Sequence, residues 1–287
     1  MGKKALFFDI DGTIWDFHNR ICESTVEAMK KLHDNGHLTF ICSGRSRAYI
    51  RNEVLLALGF DGIISGCGTM IEYDNKQVFY KKLDDEFVRY TIDGVRKYGF
   101  RPILEGREYL YMDDEDFAGD LYGNKLKKEL GSRLIPIKGQ KEYDISKLSC
   151  AVTGNNVDKC EEEFGKYFEF ILHNEHVVEM VPKGFSKGTG ILKVCEMLGI
   201  DINDTYAFGD SNNDISMLKT VGHAIVMGNG TEEAKKEADA TSSKIEQVEP
   251  VADAPKQWIK FQAYMTVEQA KGLGQYMKSA GIEYKAL

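Results

Sequence analysis

Five short apolar runs punctuate the chain, each ending in small, polar or acidic residues: ALFFD (5–9), LTFICSG (38–44), GIISG (62–66), TYAFGD (205–210) and HAIVMG (223–228). Their shortness and their lack of alternation predict strands buried on both faces. Between them, Ser24–Asn35, Ser46–Leu58 and Ser186–Leu198 read as helices closed by Gly36, Gly59 and Gly199. In the last of these, Ile191, Val194, Cys195 and Leu198 recur at helical spacing. Strands alternating with helices predict βαβ units and a parallel sheet covered on both faces. Such sheets bind ligands beyond the carboxyl ends of their strands. Asp9 and Asp11, Ser43 and Gly44, and Asp210 all follow directly after apolar runs, so they are expected to gather along one edge.

The middle of the chain has another texture. From about Leu83 to Lys183, Gly, Asp and Tyr are frequent, and strand candidates (REYLYM, SKLSCAV, FEFIL, HVVEM) mix with helical segments. FEFIL and HVVEM are joined by HNE (173–175), a hairpin-like connection. The expected fold is α/β, with a Rossmann-like parallel-sheet core formed by 1–82 and 185–287. An α+β domain is inserted over 83–184.

At 287 residues, two domains are expected. The formal charge of −8 and the absence of a long basic run exclude nucleic acid and anionic membranes as partners. The longest apolar runs fall far short of the ~20 residues that span a bilayer. No secretion signal opens the chain. Six cysteines without CxxC spacing suit reduced core thiols, so a cytoplasmic location is expected.

Two carboxylates one residue apart, at the end of a buried strand, repel each other and need positive charge. Three later segments offer partners: CSGR (42–45), SKGTG (186–190) and GDSNND (209–214). In this order, with DIDGT (9–13) and a large insert before the lysine, they resemble the haloacid dehalogenase (HAD) phosphatase superfamily in its Cof-like, large-capped branch. The resemblance implies that Asp9 is the nucleophile and forms an aspartyl-phosphate. Asp11 protonates the leaving alkoxide and then activates water, which requires a raised pKa. Asp9, the backbone carbonyl of Asp11, and Asp210 hold Mg2+. Ile10, Ser43, Gly44, Lys187 and Asn213 contact the phosphate, with Lys187 also catalytic. Thr13 steadies the DIDGT turn, Asp214 orients Lys187 or a metal-bound water, and Arg45 reaches toward substrate or forms a surface salt bridge. The implied partner is a small phosphorylated metabolite, and the chain is expected to be a monomer or weak homodimer.

Plainer readings exist for each piece taken alone. Asp-x-Asp-Gly is a turn signal, Ser43 a helix cap, Lys187 a solvated helix residue, and GDSNND an Asx-rich turn. His173 and His176 read as surface residues, and Tyr109, Tyr111 and Met112 as core. Two features depart from the family. Cys67-Gly68 stands where relatives carry Asn-Gly. The usual Ala-Asp, strand and helix ending fits EADATSSKIEQ (237–247) in part and QAYMTVEQAKGLGQYMKSAGI (262–282) better, which leaves a surplus around 248–265 with Trp258. A phosphomutase and a non-catalytic sensor of phosphorylated metabolites remain alternative functions.

Overall fold

The computed structural model describes residues 3–245, apart from 17, 153–155 and 175. The surplus segment around 248–265 and the second copy of the C-terminal pattern lie outside the described residues. In chain order the strands are β1 (Ala5–Phe8), β2 (Leu38–Cys42), β3 (Gly62–Ser65), β4 (Met70–Tyr73), β5 (Lys76–Tyr80), β6 (Arg101–Gly106) and β7 (Leu110–Tyr111). They continue with β8 (Leu134–Ile135), β9 (Ile145–Ala151), β10 (Phe168–Asn174), β11 (Val177–Pro182), β12 (Thr205–Gly209) and β13 (His223–Val226). The α-helices are α1 (Glu23–Asp34), α2 (Glu53–Leu56), α3 (Asp85–Lys97), α4 (Leu121–Leu130), α5 (Val157–Phe164), α6 (Lys187–Leu198), α7 (Ile215–Leu218) and α8 (Glu232–Ile245). None of the described helices is long and apolar enough to cross a membrane.

The chain divides into two compact units. Among the described residues, the first comprises those up to Ile41, Glu53–Asp61, and those from Ile191 to Ile245. Its strands run parallel in the order β13-β12-β1-β2. Every residue of β1 and β2 is buried, as expected for strands covered on both faces. Phe8 pairs with Phe208 on one side and Ile41 on the other. The Phe8 and Phe208 rings stack at 4.6 Å, and Phe7 and Phe40 at 5.1 Å. Each such side chain contributes about 1.5–3 kcal/mol on full burial. The register sets Phe8 beside Phe208, so Asp9 and Asp210, one and two residues further on, leave the sheet at the same edge.

The second unit comprises Cys42–Asn52 and Gly62–Gly190. Strands β3, β4 and β5 form an antiparallel ribbon. Its last turn places Asp74 and Asn75 at φ of 50° and 57°, the residue types that accept such a hairpin turn. A six-stranded sheet follows in the order β10-β11-β9-β6-β7-β8. The hairpin joining β10 and β11 is as the sequence predicts. One face packs under α3 and α5 through Val88, Ile92, Val95, Phe164, Leu148 and Met180. Helix α3 starts cleanly because Asp84 accepts hydrogen bonds from the Glu86 and Phe87 amides. On the other side, Ile103, Leu110, Met112 and Ala151 cluster with Ala48. The fold is thus α/β, a parallel-sheet core interrupted by an α+β insertion.

Three expectations need correction. The helix expected over Ser46–Leu58 is broken into a 3-10 turn, Arg47–Tyr49, and α2. The Arg47 guanidinium donates to the Ile50 carbonyl at 2.6 Å and to Glu72 at 2.7 Å, so this carbonyl is bound by a side chain where the helix would have run on. Tyr111 and Met112 are core, but Tyr109 is exposed. Residues 237–245 continue α8, so the first copy of the C-terminal pattern does not form a strand there.

All six cysteines are free thiols, five buried and Cys22 exposed. Burial pushes the Cys67 and Cys150 thiols well above the ordinary range, which suppresses the reactive thiolate. Titration of the native protein with a disulfide reagent at pH 8 should therefore register one fast thiol per chain. A second fast thiol would show that one of these burials is wrong.

Candidate active site

The acidic side of the site is built by two strand exits of the first unit. Asp9 prolongs β1, its amide donating to the Phe208 carbonyl at 2.9 Å, and only 5% of it is exposed. The chain then folds back on itself. The amides of Thr13, Ile14 and Trp15 converge on the Ile10 carbonyl at 3.1–3.4 Å. Gly12 makes this possible at φ 81°, and a Cβ there would lie 2.4 Å from Asp210 Oδ2. The Thr13 hydroxyl donates to Asp210 Oδ1 at 3.0 Å. Asp11 is exposed, and its carboxylate accepts from the Trp15 indole at 3.0 Å.

At the end of β12, the GDSNND segment folds as an Asx-rich cap and positions two carboxylates at once. Asp214 is fully buried, and its Oδ2 accepts from the amides of Asp210 and Ser211, both at 2.9 Å. The Ser211 hydroxyl donates to Asn213 Oδ1 at 2.9 Å, so that amide group is held in place. Carboxylate oxygens of Asp9, Asp210 and Asp214 all lie within 4.8 Å of one another. At an effective dielectric constant near 20, each such pair repels by roughly 3 kcal/mol. Three hard oxygen donors at this spacing suit Mg2+ rather than a softer metal. Of the expected metal set, Asp9 and Asp210 come together. The Asp11 carboxylate is engaged by Trp15, leaving its backbone carbonyl as the expected donor.

The expected phosphate contacts other than Ile10 and Asn213 lie in the second unit. Ser43 directly follows β2 and is buried; its amide donates to the Ile64 carbonyl at 2.9 Å, and its Oγ accepts from the Arg45 amide at 3.2 Å. Gly44 is buried beside it. Arg45 lies 4.3 Å over the Tyr49 ring, which orients its guanidinium. Lys187, 1% exposed, is the first residue of α6. Ser186 caps that helix: its hydroxyl accepts from the Thr189 amide at 3.1 Å, while its own amide donates to Thr189 Oγ1 at 2.9 Å.

The 66–68 loop backs both phosphate elements. Cys67 and Gly66 donate to the Ser43 and Arg45 carbonyls at 3.1 and 2.8 Å. A Cβ on Gly68 would lie 2.4 Å from the Ser186 carbonyl oxygen. Cys67 itself adopts φ 55°, a backbone that Asn accepts easily and Cys less so. That conformation accounts for the Asn-Gly pair expected at 67–68. His176 is exposed, as expected of a surface histidine, and the His173 side chain lies outside the described residues.

Sequence reading passed over Trp15, whose only signal was a lone tryptophan inside DGTIWD, and the buried charges Glu105, Lys147 and Glu179. The last three stand out only as single carboxylates or a lysine within strands whose neighbouring positions are apolar or small. One consequence of the close packing is directly testable. Gly12→Ala should force Asp210 aside, weakening Mg2+ binding about tenfold or more, as loss of a ligand-orienting neighbour does, when measured by calorimetry. Unchanged affinity would separate Asp210 from the metal site.

Comparison with known proteins identifies the family. The model of the haloacid dehalogenase-like hydrolases (Hydrolase_3) matches residues 6–254. The Bacillus subtilis protein YkrA is 32% identical over 250 residues, 86% of this chain and 95% of YkrA. The phosphoglycolate phosphatase of Methanobrevibacter smithii is 27% identical over 245 residues, 83% of this chain and 92% of that one. Among solved structures, a Geobacillus kaustophilus protein superposes with a TM-score of 0.72 at 30% identity, covering 83% of this chain and 92% of its own. A sugar phosphatase of HAD subclass IIB does so with a TM-score of 0.68 at 26% identity and the same coverage. The four motifs, the fold that carries them and the family match over nearly the whole chain agree: this protein belongs to the haloacid dehalogenase-like hydrolases.

Proposed function

We propose that the chain is a Mg2+-dependent phosphatase that hydrolyses a small phosphate ester, with sugar phosphates as the substrate class, through an aspartyl-phosphate on Asp9. The observation that carries this reading is the carboxylate cluster of Asp9, Asp210 and Asp214 at the ends of two parallel strands. Three carboxylates this close are favoured by a cation among them, and the one at the end of β1 is paired in sequence with a second acid, Asp11. The names of relatives, a phosphoglycolate phosphatase and a sugar phosphatase, support small phosphate esters as substrates.

In the first step an Asp9 carboxylate oxygen attacks phosphorus, the ester P–O bond breaks, and Asp11 delivers a proton to the departing alkoxide oxygen. Asp11 then takes a proton from water as the water oxygen attacks phosphorus. The bond between Asp9 and phosphorus breaks, and inorganic phosphate leaves. Asp9, Asp210 and the Asp11 backbone carbonyl would hold Mg2+, with Asp214 orienting the site. When bound, the ion offsets the charge shared by Asp9 and the phosphoryl oxygens. Ile10, Ser43, Gly44, Asn213 and Lys187 contact the phosphate oxygens, and Thr13 and Arg45 support them. In this reading residues 83–184 form a cap that selects the leaving group over a core of 1–82 and 185–287. The enzyme acts in the cytoplasm as a monomer or weak homodimer.

Inorganic phosphate release from phosphorylated sugars, nucleotides and cofactors, with Mg2+ and with chelator, tests this. Metal-dependent release concentrated on small sugar phosphates is expected. Asp9→Asn should lower the rate roughly a thousandfold or more, as loss of a nucleophile does, without changing the melting temperature by more than a few degrees. Binding of sugar phosphates without any release would replace the phosphatase by a sensor. Dependence on a bisphosphorylated activator would replace it by a mutase.

A further inference from the structure

Inside the second unit, three charges sit on neighbouring strands of the six-stranded sheet with almost no contact with water. Lys147 on β9 is 0% exposed, Glu105 on β6 is 5% and Glu179 on β11 is 8%. Glu105 stands directly across from Lys147, and Glu179 directly across from Ser149. The ammonium lies 3.3 Å from Glu105 Oε1 and 2.9 Å from Glu179 Oε1. Burial opposes charge on Lys147, but the two carboxylates outweigh it and hold the ammonium above the ordinary lysine range. Ser149 donates to Glu105 at 2.7 Å. Burial and then Glu105 push the nearby Tyr122 phenol up to about 12. Holding carboxyl groups and an ammonium away from water carries a desolvation penalty, which makes the cluster an expensive arrangement for stability alone.

Each carboxylate also reaches outward to one of the loops on which phosphate binding depends. Glu105 Oε2 accepts the Ser46 amide at 3.3 Å, three residues after Ser43. Glu179 Oε2 accepts the Cys67 thiol at 3.5 Å, which holds Cys67 in its left-handed conformation. The 66–68 loop in turn binds the Ser43 and Arg45 carbonyls and packs against the start of the helix that bears Lys187. Ala48 completes the seating among Ile103, Leu110 and Ala151. We propose that Lys147 is a positioning residue: by fixing Glu105 and Glu179 it holds the 43–46 and 66–68 loops in the geometry that binds phosphate. The role assigned to these loops rests on the phosphatase reading above.

The test uses the full chain and four proteins: wild type, Lys147→Met, Lys147→Arg, and the triple variant Glu105→Gln, Lys147→Met, Glu179→Gln. Lys147→Met removes the ammonium beside both carboxylates and can fail to fold. The triple variant removes all three charges, a change that buried ion clusters commonly tolerate. Three readouts are taken: hydrogen exchange of the backbone amides, binding of inorganic phosphate in the presence of Mg2+, and steady-state phosphate release from a sugar phosphate. In the triple variant, exchange over 43–50 and 66–68 should quicken about tenfold or more while β1 and β12 stay protected. Phosphate affinity should fall about tenfold to a hundredfold, as small misplacements of binding groups do. The loss should appear in KM more than in kcat, and Lys147→Arg should recover most of it.

A folded triple variant with exchange and phosphate affinity both within about twofold of wild type would overturn the proposal, since that is well below the tenfold scale of 1.4 kcal/mol. Loops that loosen in the variants while the wild type itself ignores phosphate would leave the positioning role standing and sink the phosphatase reading instead.

Discussion

Repulsion among carboxylates at the ends of β1 and β12 is the constraint on which the acidic site depends. Asp9, Asp210 and Asp214 are brought within 4.8 Å of one another by a register that leaves little freedom, because Phe8 faces Phe208 and the amide of Asp9 continues the same ladder. That register is carried by the parallel ladder that sets Phe8 between Phe208 and Ile41 and by the stacking of the Phe8 and Phe208 rings. The sheet thus provides the rigidity that keeps like charges together. Local groups complete the arrangement: Thr13 and the Asp210 and Ser211 amides hold the carboxylates, and Gly12 leaves room for Asp210. The three carboxylates could together hold a metal ion.

In the proposed function the second unit has a different task, the capture of an anion. Its elements are neutral or basic: the buried Ser43 and Gly44 after β2, Arg45 stacked on Tyr49, and Lys187 at a capped helix start. Helix starts and exposed amides attract phosphate, but only if the loops that carry them are held. The 66–68 loop and the Glu105–Lys147–Glu179 cluster supply that support from within the same unit. Buried charge here is better understood as a means of fixing geometry than as a source of stability.

Much of this was readable from the chain because the strongest patterns are local. ALFFDID announces a buried strand and its acidic exit, and GDSNND announces a second strand exit and the cap that follows it. The parallel strands, the insertion and the β10–β11 hairpin follow from runs of residue types and their spacing. What escaped prediction depends on contacts distant in sequence. The break at Ile50 comes from Arg47 and Glu72, and the charged cluster joins residues 105, 147 and 179. Tyr109 was expected in the core beside Tyr111 and lies exposed, because it falls just before β7 begins at Leu110 and outside the strand. The place of Asp214 in the carboxylate cluster needed the fold of the capping turn, which spacing alone does not reveal.

The most direct measurement is chemical capture of the covalent intermediate. Wild-type protein with Mg2+ is mixed with 32P-labelled acetyl phosphate, quenched in acid within one turnover, digested and mapped. Acid-stable, hydroxylamine-sensitive label on the peptide containing residues 5–16, at Asp9 and absent from Asp9→Asn, is the expected result. Label on another residue, or phosphate release by Asp9→Asn at the wild-type rate, would contradict the assignment of Asp9 as nucleophile.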